Sequence, residues 1–241
     1  MTLIDTIAKA AREFAPTASR INDFLIDHRE EIKELAFAFQ NFPEKTLPLW
    51  DKLANHGWYL NWHTPTDIFS IIDTNQSTLN EFMINHLERD FELLAKKLSS
   101  LYPKREHVLT VAFDLHRNQN YIASIPLFFS QLDGICSQNL RASYFENKEE
   151  LQARVDKEKR DDPSIVYHLN LEVLKVRTQF QAGSSKASAA KKSKAPSRNG
   201  IMHGSRKHLD YGTKENSFKT FSLLCFVACC FDVGRTPIEN Q

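Results

Sequence analysis

Residues 103–135 read PKREHVLTVAFDLHRNQNYIASIPLFFSQLDGI, and this stretch decides the fold class. Pro103 suits the opening of a helix, where its missing N–H costs nothing. Val108, Val111, Ala112 and Leu115 then recur at helical spacing as far as Arg117. The polar link Arg117-Asn118-Gln119-Asn120 follows, and a return helix is predicted over Tyr121–Gln138. Tyr121, Ile125, Phe128, Leu132 and Ile135 share its apolar face. A link this short makes the two helices antiparallel neighbours. The pattern predicts an all-α chain built around a helical hairpin.

The flanks repeat the same period. A helix is predicted over 78–100, with Phe82, Leu87, Phe91, Leu94 and Leu98 inward. Further upstream, helices are predicted over 2–14 and 17–40, and residues 1–100 form an N-terminal helical region. Between them Trp50, Trp58, Tyr59 and Trp62 cluster, which reads as a packed aromatic corner ahead of a base-stacking platform. Downstream, residues 146–162 are nearly all charged and read as a solvated helix face or loop. A helical pattern resumes over 164–181. A final helix is predicted from Thr213 to Phe231, with Phe218, Phe221, Leu224, Cys225, Ala228 and Phe231 as its stripe.

Residues 182–197, AGSSKASAAKKSKAPS, contain Lys186, Lys191, Lys192 and Lys194 and no acid. Such composition predicts a flexible insertion. Placed beside a phosphate-handling site, Lys191, Lys192 and Lys194 would gather RNA electrostatically. The plainer alternative is a solubilising linker.

Composition sets the limits. The 241 residues allow one large or two small domains, and a net charge of +1 gives no global field for nucleic acid. Cys136, Cys225, Cys229 and Cys230 lack zinc-ligand spacing and read as thiols of a reducing compartment. The acids and Lys near the N-terminus do not resemble a signal peptide, and the apolar run around 221–231 is too short to span a bilayer. A cytoplasmic protein without membrane association is expected. No P-loop, dinucleotide fingerprint, HExxH or nucleophile elbow occurs. No cofactor and no metal are expected.

The chemistry-bearing segment is SRNGIMHG, Ser197–Gly204. Arg198 suits a phosphate, and His203 suits proton transfer near neutral pH. The spacing alone is expected about once or twice by chance in a chain of this composition, so context must carry the reading. Ser197 is a candidate helix cap. On a regular helix, Arg198 and His203 lie about 140° apart, whereas Asn199 and His203 share a face. Asp133 ends an apolar helical stretch. It either orients His203 or pairs with Arg198, or serves as a helix-end carboxylate satisfied by backbone or solvent. His116 and His208 read as exposed or structural, and Tyr211 and Asn216 as turn and cap residues. Whether Lys219 faces the site or water is open at this level.

The run RNGIMHG, followed by LDYGTKENSFKTFSLL, resembles the C-terminal motif of HEPN-domain proteins. Its signature is Arg, four to six residues, then His, often with a polar residue directly after the Arg; Asn199 fills that place. The hairpin at 103–135 resembles the helix pair that packs against the motif in many bacterial members. The resemblance spans about residues 100–241. It implies a HEPN-type helical bundle over residues 101–241, with 182–197 as a variable insertion. It also implies metal-independent RNA cleavage, in which the 2′-OH attacks phosphorus and leaves a 2′,3′-cyclic phosphate. Within it His203 would move protons, Arg198 would hold the scissile phosphate, and Asn199 would orient the phosphate or His203. A homodimer with two motifs facing one cleft is implied as well. The physiological settings implied are a toxin or phage-defence effector, with an antitoxin or regulatory protein as partner. Some members do no chemistry, so a non-catalytic module binding RNA, a nucleotide or a protein is the alternative.

Overall fold

The computed structural model describes residues 47–145, 148–161, 165–185 and 188–232. The helices expected over 2–14 and 17–40 lie outside the described residues. The chain divides into Met1–Lys45 and Thr46–Gln241, and the second unit holds every described residue.

Among the described residues the secondary structure is helical, with no strand. Helix α1 covers 47–55 and α2 Ile68–Ile71. Helix α3, Gln76–Leu101, starts where the Asn75 side chain accepts the Thr78 N–H. A 3₁₀ turn at Pro103–Arg105 leads into α4, Glu106–Arg117, and α5 returns over Tyr121–Leu140. Then follow α6, Lys148–Asp161, and α7, Ile165–Leu174. The short α8, Ala189–Lys192, and α9, Arg198–Met202, precede α10, Lys214–Asp232. The boundary expected near residue 100 falls at the end of α3, a helix that packs on α4 and α10 within one unit.

The hairpin is present as the sequence predicts, with α4 and α5 in close contact. The stripe on α4 is displaced by one residue. Leu109, Ala112, Phe113 and His116 are buried, while Val111 is 52% exposed. Both phases are apolar at helical spacing, and the aromatic Phe113 decides between them. Its ring packs edge-on against Phe91 at 5.9 Å and against Phe221 at 6.1 Å.

Helix α10 is the centre of the fold. It packs most extensively on α5, then on α3, and its residues Ser217–Ala228 are all buried. A helix buried all round must satisfy its own polar side chains. Thr220 Oγ1 donates to the Asn216 carbonyl and Ser222 Oγ to the Lys219 carbonyl. The Lys219 ammonium donates to the Ser193 carbonyl at 2.8 Å and the Glu215 carboxylate at 2.6 Å, and lies over the Trp58 ring. It therefore faces neither water nor the motif but ties the 193 region to the core.

The charged segment is a helix with a narrow apolar seam. Leu151 and Val155 of α6 are buried where it packs on α7, and Lys175 pairs with Asp156 and Glu172. The aromatic corner is packed: Trp58 and Tyr59 are buried. Trp58 Nε1 donates to Asn80 and Trp62 Nε1 to Asp232, both at 2.9 Å. Cys136, Cys225 and Cys230 are buried, and burial pushes the Cys136 and Cys229 thiols up to about 12. No helix among the described residues is long and apolar enough to cross a membrane.

Candidate functional site

Five residues of α9 cannot hold a helical turn unaided. Ser197 caps it: Ser197 Oγ accepts from the Gly200 N–H at 3.1 Å and donates to the Ala182 carbonyl at 2.8 Å. Ile201 is buried beneath the turn. The imidazole of buried His208 lies against Gly200, where any Cβ would collide with it. His208 Nε2 is 3.0 Å from the Ser184 carbonyl, an acceptor only, so this nitrogen donates. His208 is therefore a structural histidine that presses the motif against the core.

Arg198 is half-buried at the first position of α9. Its Nη1 donates to Asn199 Oδ1 at 3.1 Å, and its guanidinium lies 5.4 Å from the Phe145 ring centroid. It forms no ion pair among the described residues. In this it resembles Arg105, also half-buried, which donates to Gln131 and Gln138 and forms no ion pair among the described residues, whereas Arg89, Arg117, Lys97, Lys175, Lys214 and Lys219 each pair with a carboxylate. His203 closes the turn, its N–H donating to the Asn199 carbonyl at 3.2 Å. The imidazole is exposed and has no hydrogen-bond or ion-pair partner among the described residues. Gly204 then takes a left-handed φ of +60° that ends the turn. Asn199 thus links the two, holding Arg198 by its amide oxygen and His203 by its carbonyl.

Asp133 has other partners. Its Oδ1 accepts the Tyr144 N–H and the Ser143 hydroxyl, both at 2.8 Å. Neither Arg198 nor His203 is among its contacts. The carboxylate fixes the chain leaving α5, and the next residue, Phe145, is the ring beneath Arg198. Phe145 was not visible as a site residue from sequence, because nothing local marks a ring that meets a guanidinium far along the chain.

Residues 188–197 are built into the fold rather than free. Ala195, Pro196 and Ser197 are buried, and the Lys194 carbonyl sits against Gly57, whose φ is +82°. Small side chains that cannot form a core of their own here let backbone approach backbone. Of the expected RNA-binding lysines, Lys191 and Lys194 are exposed. Lys192 is half-buried, pairs with Asp210, and donates to the Lys207 carbonyl at 3.3 Å. Tyr211 OH donates to the Ile122 carbonyl, and the Asn216 amide donates to the Tyr211 carbonyl, as turn residues.

A separate cleft of about 440 Å³ opens where α3, α4 and α10 meet, bordered by Glu88, Arg117, Tyr121 and Lys214. His116 forms part of its wall, stacked on Phe91 at 4.6 Å, with Nδ1 2.8 Å from the buried Ser217 hydroxyl. Burial lowers its pKa to about 4. Among the described residues no group of three or more His, Cys, Asp and Glu side chains is placed to hold a metal ion. No family model matches the chain, and no curated protein or solved structure matches it either.

Proposed function

We propose that the chain is a metal-independent endoribonuclease of HEPN type, acting as a dimer in which two motifs face one RNA strand. The observation that carries the reading is the state of Arg198. It is held by an aromatic ring and an amide, lacks a carboxylate partner among the described residues, and stands five residues before an exposed histidine that has no partner among them. A fixed cation with no counter-ion is an anion site in waiting.

In this reading Arg198 binds the scissile phosphate and stabilises charge building on its oxygens. The 2′-OH loses its proton to an imidazole as the P–O2′ bond forms. The P–O5′ bond breaks, and the 5′-oxygen takes a proton from a second imidazole. The products are a 2′,3′-cyclic phosphate and a 5′-OH. Two histidines are required, and each chain supplies one as His203, which gives the dimer a chemical reason. Asn199 orients Arg198, and Asp133 acts as a positioning residue through Tyr144 and Phe145. Lys191 and Lys194 attract the strand. The physiological setting is that of a toxin or phage-defence effector restrained by an antitoxin or regulatory protein.

Arg198 opens α9 and His203 caps its end, and residues five apart on a regular helix lie about 140° around the axis, which favours a second reading. If the two side chains never converge, the motif is a binding module for RNA, a nucleotide or a protein partner. RNA cleavage in EDTA by wild type and His203→Ala, with product ends identified, separates the two. Cutting that leaves cyclic phosphate and disappears in His203→Ala is expected. Folded protein that binds RNA without cutting it supports the binding module. Cutting that survives the substitution in nuclease-free preparations removes the mechanism.

A further inference from the structure

Around the motif turn, charge is distributed unevenly. Between residues 183 and 210 the chain carries seven Lys and Arg and a single acid, Asp210, although the whole chain is at +1. That acid is neutralised from within the same segment, because Lys192 pairs with it and holds its carboxyl below the usual carboxylate range. The Lys192 ammonium also donates to the Lys207 carbonyl. This contact brings the Lys191–Lys194 turn beside the 3₁₀ turn Arg206–His208. Lys191, Lys194, Arg206 and Lys207 are all exposed, and no carboxylate pairs with any of them among the described residues.

We infer that Lys191, Lys194, Arg206 and Lys207 form one basic lobe that binds the sugar–phosphate backbone of single-stranded RNA, extending the contact made at Arg198. This rests on the proposed function for the choice of RNA. Lys192 is not a contact but the internal strut that joins the two turns. Recognition by ammonium and guanidinium groups on phosphates carries no base information, so the lobe sets affinity and length preference rather than sequence. The segment carries no Phe, Tyr or Trp for stacking, which places the burden on charge.

The probe is a 2′-O-methyl RNA 20-mer, which cannot be cleaved through a 2′-OH and so reports binding alone. Four phosphates neutralised on a single strand give a slope of about −3 in log K against log salt, or roughly 50-fold weaker binding from 50 to 200 mM. The wild-type slope should be at least this steep. The variant Lys191→Gln/Lys194→Gln/Arg206→Gln/Lys207→Gln should lose about three units of slope. The exposed cations Lys96, Lys104, Lys148 and Lys157, on α3, the turn before α4, and α6, serve as the control. Changing these four to Gln alters net charge equally and should leave the slope nearly unchanged. Equal slopes for the two quadruple variants overturn the lobe, as does binding to phosphatidylserine vesicles with none to RNA. Salt-dependent binding through the lobe without cleavage of ordinary RNA upholds the lobe while refuting the nuclease.

Discussion

His116 is a histidine that the fold keeps neutral. It lies between Phe91 and Phe218, each with a centroid 4.6 Å away, and its pKa falls from the ordinary 6.5 to about 4, chiefly through burial. Lys214 and Arg117 add to the lowering, and Glu88 opposes it. Protonation therefore favours the unfolded chain. The stability contribution is complete above pH 6.5 and is lost as pH falls towards 4, a change of roughly 3 kcal/mol. His86, buried against α3's neighbours and bonded to Asn61, is lowered in the same direction. The two contributions are separated by substitution. His116→Phe keeps the ring packing and removes the titration, and Ser217 retains Ser124 at 3.1 Å. Thermal melts between pH 7 and 4.5 should show a steeper fall for wild type than for His116→Phe. Parallel profiles would mean that His116 is not the proton-linked group.

At the scale of elements, the motif turn depends on its surroundings. Its five residues are held by Ser197, Ile201 and the His208 ring against Gly200. Gly200→Ala should destabilise the chain by about 1–3 kcal/mol through overpacking. Gly183→Ala, where a Cβ meets nothing within 4 Å, should change little. Urea unfolding of the two variants compares these directly, and equal midpoints would place His208 elsewhere in solution. The elements themselves were largely legible. Apolar spacing located α3, α4, α5 and α10, because long periodic stripes report burial whatever their partner. It missed the phase of α4, where two stripes one residue apart are both apolar and only the aromatic cluster around Phe221 selects one. Composition misread residues 188–197, because a Lys/Ser/Ala stretch without apolar bulk gives no hint that Gly57 and Lys219 bind its backbone. At the site, the Ser197 cap could be read from local chemistry. The Phe145 platform and the partners of Asp133 could not, since they arise from contacts distant in sequence.

For the whole molecule, the geometry of α9 sets a constraint on any active assembly. A turn that presents Arg198 towards Phe145 and His203 to solvent cannot easily direct both side chains of one chain at one phosphate. The proposed two-fold dimer would remove the difficulty by setting both motifs against one phosphate, with one His203 from each protomer. This arrangement makes a quantitative prediction that a monomeric site does not. His203→Ala chains should be inactive alone. When they are unfolded with an equal amount of wild type and refolded as a mixture, about a quarter of the dimers at random assortment hold two wild-type chains, and a mixed dimer holds one His203 where the proposed reaction uses two. Activity should fall to about a quarter of that of the same total amount of wild type. Mixed dimers, identified by mass, that cut RNA at about half the wild-type rate would show that each site draws Arg198 and His203 from the same chain. The motif turn would then have to rearrange on RNA to bring the two together.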